Sequence, residues 1–384
     1  MLSLILKTLL VLLALAVLIA AGIWLYLQQP TFATPSVDNK RLLTKQSATG
    51  NSLYQDGRFT NLEPTEVMVA DPDSVHQPKQ GMLVTLWKFL FQPDPGTIPE
   101  QPIPSRKTNL FTLNPQENRV IWLGHSSYYI QLDGKRMLID PVFSAYASPV
   151  PGTNVAFAGS NVYSPEDIPD LDYLLITHDH WDHLDYPTVQ ALRDKVKQVI
   201  TPLGVGSYFR QWGWAAGQVF EGDWGSVYEA DGLAIHILPA RHFSGRLLDR
   251  NRTLWGSFAL IGQQQRLYFG GDSGYGQHFK RIGAALGPFD LVALECGQYN
   301  QQWASIHMMP EQTAQAATDL GAREVLAAHN SKFKLAHHRW EEPLERLSAA
   351  SAGQSWQLLT PMIGEQVAIG APQPVFSPWW RETR

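Results

Sequence analysis

One cysteine, Cys296, serves all 384 residues, and that scarcity excludes an intramolecular disulfide and any multi-cysteine zinc site. It follows Leu294-Glu295 and reads as a small buried apolar residue. The chain also lacks a dense Lys/Arg run. With a formal net charge of −5 and a pI near 6.2, it is a poor candidate for a nucleic-acid binder that neutralises phosphates. No Gly-x-Ser-x-Gly elbow offers a serine nucleophile, and no internal repeat is visible. What the chain has is a 44% hydrophobic fraction, ample for a large core in one large domain or two medium ones.

Long runs that are both uncharged and apolar are absent except at the amino terminus. Leu9 to Leu27 is Leu, Ala, Val and Ile with Trp24 and Tyr26 near the far end, long enough to cross a hydrocarbon layer as a helix. A cleavage site at Ala14-Leu15-Ala16 would truncate the apolar run halfway, so residues 1–27 read as an uncleaved single-pass anchor in the cell membrane. Lys7 precedes the span and Lys40, Arg41 and Lys45 follow at a greater distance. A short leading flank before a large domain favours a periplasmic catalytic domain. Residues 28–118 are rich in Pro, Asn, Gln and Asp and read as an extended arm lying on the core. Within them, Met82 to Phe91 is an aromatic run suited to core packing or the bilayer surface, and Pro93, Pro95, Pro99, Pro102 and Pro104 keep the chain extended.

Residues 119–384 form the compact domain. Val120-Ile121-Trp122-Leu123, Tyr128 to Leu132 and Met137-Leu138-Ile139 are short β runs, the last two joined by an Asp133-Gly134 turn. Helices are expected from Pro187 to about Lys195 and from Pro310 to Leu320, with strands between and around them. Such mixed order predicts an α/β fold with sheets covered by helices.

Chemistry concentrates where strands end. After Tyr173-Leu174-Leu175-Ile176-Thr177 comes His178-Asp179-His180-Trp181-Asp182-His183, three imidazoles and two carboxylates in six residues. In extended backbone His178 and His180 project to one side, while a turn after Trp181 brings Asp182 and His183 to an adjacent position, so one loop can serve two metal centres. The alternative is a solvated His/Asp-rich loop. Against it, His242, Asp272 and His329 each follow an apolar run in the same way, and strands delivering their carboxyl ends to one rim bring these side chains to the loop. Gly270 and Gly271 permit close backbone approach.

These motifs, with Trp122-Leu123-Gly124-His125-Ser126-Ser127, Leu138-Ile139-Asp140-Pro141, Gly271-Asp272-Ser273-Gly274-Tyr275 and Ile306-His307-Met308-Met309-Pro310-Glu311, resemble the metallo-β-lactamase superfamily, and within it the N-acyl-phosphatidylethanolamine-hydrolysing phospholipase D branch. The resemblance covers roughly residues 58 to 345. It implies a four-layer αβ/βα sandwich and two Zn2+ ions, with iron or manganese as substitutes. One metal would be held by His178, His180 and His242, the second by Asp182, His183 and His329, with Asp272 bridging and a shared hydroxide as nucleophile. Asp182, Asp272 and His307 are the implied catalytic residues, His307 as oxyanion stabiliser, proton donor or ligand-orienting residue. His125 and Asp140 would support loop geometry. Trp181, Tyr186 and Arg246 are candidates for the substrate mouth, Arg246 as a phosphate partner, with packing as the alternative for the two aromatics. The implied substrate is a membrane phospholipid or small phosphodiester. A lactonase or small-molecule phosphoesterase of the same superfamily and a non-catalytic envelope protein are the competing readings.

Overall fold

A computed structural model describes residues 2–34, 37, 38, 42, 52–69, 94–246 and 249–383. The aromatic run at 82–91 and the basic residues Lys40, Arg41 and Lys45 lie outside the described residues. The amino-terminal apolar run is one helix, α1 (Leu2–Leu27), of which Ile5–Leu27 has a mean hydropathy of 2.7 and is long and apolar enough to be a membrane span.

Two seven-stranded sheets make the domain. The first contains β3 (Arg119–Trp122), β4 (Tyr128–Leu132), β5 (Lys135–Ile139), β6 (Leu171–Leu175), β7 (Val196–Pro202), β8 (Val219–Gly222) and β18 (Gln366–Ala368). The second contains β9 (Val227–Ala230), β10 (Leu233–Leu238), β13 (Ser257–Ile261), β14 (Arg266–Phe269), β15 (Phe289–Glu295), β16 (Ala322–Ala328) and β17 (Gln357–Leu359). Period-two alternation decides which face each residue covers. Val120, Ile130, Ile139 and Leu175 of the first sheet share one buried cluster with Ile235, Phe258, Leu267 and Leu291 of the second, so these faces pack together. Their strand neighbours Ile121, Tyr129, Leu138 and Leu174 point the other way, onto Val189, Leu192, Tyr208 and Phe209 of the helical layer. Helices Gln277–Leu286, Pro310–Asp319 and Glu342–Ala350 cover the second sheet through Ile282, Ala317 and Leu347. This is the expected four-layer arrangement.

Direction of the strands positions the chemistry. β5, β6, β7 and β8 run parallel, as do β14, β15, β16 and β17. β10 is antiparallel to β13, which is antiparallel to β14, so β10 runs with β14. The loops following β5, β6, β10, β14 and β16, carrying Asp140, His178, His242, Asp272 and His329, therefore open on one rim.

Local expectations meet the structure unevenly. Asp133 and Gly134 have φ of 50° and 76°, the left-handed pair a tight β4–β5 hairpin requires. The helix expected over 187–195 is shorter, Tyr186–Ala191, followed by a separate 3₁₀ turn at Arg193–Lys195. The segment 28–118 is more than a surface arm. Phe32, Phe59, Ile103 and Leu110 are buried, Leu53–Gln55 (β1) and Arg58–Thr60 (β2) form a hairpin, and the Phe59 N–H donates to the Asn251 carbonyl. Burial of these scattered apolar residues, invisible to a periodicity argument, ties the segment to the domain.

Candidate metal centre

Of three overlapping groups of ligand-type side chains at the rim, one holds His178, His180, His242 and Asp272 and another His125, Asp182, His183 and His329, with ligand atoms within 4.8 Å of one another in each. Asp272 joins them. Its Oδ1 lies 3.1 Å from His183 Nε2 and 3.1 Å from His329 Nδ1, while Oδ2 lies 3.8 Å from both His178 Nε2 and His242 Nε2. The two oxygens of one carboxylate thus face the two groups. All seven residues named from the sequence as metal ligands are brought together.

Hydrogen bonds around the ring set the tautomers. The Thr177 hydroxyl donates to Asp140 Oδ2 at 2.6 Å, leaving a lone pair to accept from His178 Nδ1–H at 2.9 Å. His183 Nδ1–H donates to Asp140 Oδ2 at 2.8 Å, and His242 Nδ1–H to the Ile306 carbonyl at 3.0 Å. In the neutral form of each imidazole the second nitrogen, Nε2, is then a lone pair turned into the site. His178 Nε2 and His242 Nε2 sit 2.9 and 3.3 Å from His180 Nδ1. Asp140, assigned a supporting role from sequence, holds both the Thr177 backbone N–H and His183.

Burial presses on every group here. Desolvation holds His178, His242 and His329 well below the usual imidazole range, aided by mutual repulsion among the histidines, and lowers His180 to about 4. Neutral imidazole is the form a metal needs. For His183 burial also acts downward, but the Asp272 and Asp182 carboxylates outweigh it and hold the group well above its ordinary value. Asp272 is pushed up to about 6 by desolvation, against the opposing charge of His183, while His183 and His125 overcome the same burial to hold Asp182 far below the carboxylate range.

Do these residues fit a cation? His183 Nε2 and Asp272 Oδ1 are buried without a hydrogen-bond partner although they face each other. Buried polar atoms are rarely left so, and imidazole nitrogens converging with carboxylate oxygens form the donor set of a divalent first-row metal, which would displace the proton that the carboxylates hold on His183. The fit is good for two ions sharing Asp272.

Three side chains extend the site. His125 was expected only to shape its loop; its Nε2 lies 2.9 Å from Asp182 Oδ2 and burial lowers it to about 4, so it orients Asp182 from inside the cluster. Its φ of 55°, like the 44° of Asp140 and 59° of His329, is left-handed backbone outside glycine, strain gathered on the functional rim. Glu295, missed in the sequence, accepts from the Met308 N–H at 2.6 Å through Oε1 and lies 2.7 Å from His307 Nδ1 through Oε2. Its signal was its place: last residue of an apolar strand, beside Cys296. His307 stacks at 5.2 Å on His329 and contacts His242 edge-on at 5.0 Å.

The proposed mouth residues fare differently. Tyr186 opens a helix and packs at 4.9 Å on Trp212, and half-buried Trp181 donates its indole N–H to the Thr31 carbonyl at 3.2 Å. Arg246 requires correction, because it is only 1% exposed and cannot reach out to a phosphate. Its Nε donates to the Asp179 carbonyl at 2.7 Å, Nη1 to Thr31 O at 3.0 Å and Nη2 to Leu184 O, with its guanidinium among the rings of Trp181, Tyr208 and Trp212. It staples the two ends of the metal-ligand loop. Asp179 is likewise consumed, by the Gly245 N–H, Tyr208 hydroxyl and Thr253 hydroxyl.

Two face-packed sheets with paired ligand groups at one rim define a metal-dependent hydrolase. Residues 135–330 match the beta-lactamase superfamily domain, and the chain belongs to the metallo-β-lactamase superfamily. It is similar to a Mycobacterium tuberculosis protein, 36% identical over 382 residues and covering 94% of this chain and 96% of that one. It is also similar to N-acyl-phosphatidylethanolamine-hydrolyzing phospholipase D 1 of Caenorhabditis elegans, 35% identical over 245 residues, 59% of this chain and 67% of the relative. Among solved structures, a metallo hydrolase from the archaeon Ignicoccus hospitalis superposes with a TM-score of 0.52 at 20% identity, over 66% of this chain and 99% of that one, a likeness of fold.

Proposed function

We propose that this protein is a membrane-anchored binuclear zinc phosphodiesterase of phospholipase D type, acting on N-acyl-phosphatidylethanolamine or a related phospholipid. The observation that carries the proposal is Asp272, one carboxylate presenting an oxygen to each of two ligand groups. The likeness to the nematode phospholipase supplies the substrate class. Two divalent cations bound there would acidify a water and neutralise charge on phosphoryl oxygens.

The chain's own residues do the rest. Asp140, Thr177 and the Ile306 carbonyl fix the tautomers of His183, His178 and His242, so those ligands are oriented before any ion arrives. Hydrolysis forms a phosphorus–oxygen bond from water and breaks the bond to the head-group oxygen, leaving phosphatidic acid and an alcohol that needs one proton. His307, with Nδ1 held by Glu295 and its ring against those of His242 and His329, keeps Nε2 free to deliver it.

Metal analysis of the purified chain, alongside a panel of phospholipids, lactones and chromogenic phosphodiesters, tests the reading. About two zinc equivalents and turnover of phospholipid are expected. Lactone hydrolysis with every phosphodiester untouched would replace the substrate assignment with a lactonase, and metal-free, inactive protein would favour an envelope protein without catalysis.

A further inference from the structure

The end of the apolar helix is built into the catalytic rim. After Leu27 only Gln28 and Gln29 intervene before the 3₁₀ turn Pro30–Phe32, and that turn is docked on the metal loop. The Thr31 carbonyl accepts from both Arg246 Nη1 and Trp181 Nε1, the Pro30 carbonyl accepts from Trp212 Nε1 at 3.2 Å, and Phe32, 4% exposed, lies edge-on to Trp181 at 6.5 Å and to Tyr26 at 5.1 Å. Arg246 in turn grips the Asp179 and Leu184 carbonyls on either side of His180, Asp182 and His183. Two intervening residues span at most about 10 Å, so the docked turn begins within that distance of the helix end.

A second stretch of the domain touches the helix itself. The Tyr26 hydroxyl donates to the Pro149 carbonyl at 2.8 Å. Pro149 belongs to the loop that leaves the rim at Ser144, where the Ser144 hydroxyl donates to Asp185 just past the metal ligands. At its turn this loop exposes Val150, which lies between Pro149 and Pro151, and Val155, 44% and 49% accessible. An aromatic near the end of a membrane span sits at headgroup depth, and Tyr26 holds the loop at that depth.

We propose that residues Tyr26–Phe32 are a docking strap that seats the metal-bearing rim and the Val150 loop against the lipid surface, so that the site draws its substrate from the bilayer interface. The inference rests on α1 spanning the membrane, but on no particular lipid as substrate. Tethering alone would leave the domain free to tumble; the strap fixes which face it turns to the membrane. Asp231, in the β9–β10 turn at the opposite ends of the strands, faces away.

Because Cys296 is buried, a cysteine placed at an exposed position can be labelled selectively. Val150→Cys and Asp231→Cys, each carrying an environment-sensitive fluorophore, are reconstituted as full-length chain into phosphatidylethanolamine–phosphatidylglycerol vesicles with and without nitroxide-bearing lipid. Emission at 150 should rise about threefold and be quenched by the nitroxide, while 231 stays unchanged. Inserting about twelve Gly/Ser residues between Gln28 and Gln29 splits the strap, leaving the Pro30–Phe32 turn on the domain but freeing it from the helix, and should abolish the enhancement at 150. Protein that resists carbonate extraction yet shows the same emission at both positions would overturn the docking. Protein released by carbonate would overturn the anchor and the docking together. Failure of phospholipid turnover in the assays above moves neither signal.

Discussion

Asp272 is the residue on which the site turns. Asp272→Asn keeps size and one oxygen but removes the charge that faces both groups, and leaves buried imidazoles against an amide. Bound metal is expected to fall below one equivalent and turnover to drop at least about 100-fold, read by metal analysis and single-turnover assay. His307→Ala should instead retain metal and lose about 100-fold or more in kcat, whereas Glu295→Gln, which still accepts from the His307 imidazole, should lose less and displace the pH profile. Equal metal and full turnover in His307→Ala would reduce His307 to an orienting group. Protons compete with metal here. His180 and His125, each lowered from 6.5 to about 4 by burial, are neutral in the fold and charge more readily once unfolded. The unfolded chain therefore binds more protons between those values, and stability present above pH 6.5 is lost as pH falls toward 4. A fall of about 1.4 kcal/mol per pH unit for each such group, measured by urea denaturation of metal-free protein, is the expected slope.

At the scale of elements, the metal loop is held by what surrounds it. Arg246 lies in the two-residue strand Gly245–Arg246 (β11), paired with Asp249–Arg250 (β12), and its guanidinium binds carbonyls on both sides of the ligand cluster. Arg246→Ala should cost about 2–4 kcal/mol in unfolding and weaken metal retention, although Arg246 touches no ligand atom. Arg246→Lys, a point charge unable to reach three carbonyls in a plane, should recover only part. Unchanged metal retention in the alanine variant would sink the stapling account. Gly271 illustrates the same constraint in backbone. With φ at 58° and Thr177 Cβ only 3.0 Å from where a Cβ would stand, it lets the β14 loop close onto the β6 loop. The close approach expected of the glycine pair is made by Gly271 to the residue that orients His178, whereas Gly270 packs on Leu294.

For the molecule as a whole, metal binding and folding are one equilibrium. The ligand loops leave both sheets, so ions held between them bind the folded chain and not the unfolded one. Stripping metal with a chelator should lower the Tm by several degrees, and re-addition of zinc should restore it in a concentration-dependent way. A Tm indifferent to chelator would mean that no ion bridges the sheets. The aliphatic residues described in α1 are exposed and lie outside this core, yet its far end meets the domain through Tyr26 and, just beyond it, Thr31.

The superfamily, the four-layer fold and all seven ligand candidates were legible in the sequence because they depend on short-range facts: apolar runs of strand length, and imidazoles and carboxylates placed where those runs stop. The carboxyl ends of parallel strands share one rim whatever the packing details. Partners brought from afar were not legible. Arg246 reads as a phosphate partner because its three carbonyls come from residues 31, 179 and 184, and Glu295 has no evident role in the sequence because His307 reaches it only across a folded loop. Which charge is spent inside and which faces a ligand depends on the neighbours that remove water from it, and only the tertiary structure assembles those neighbours.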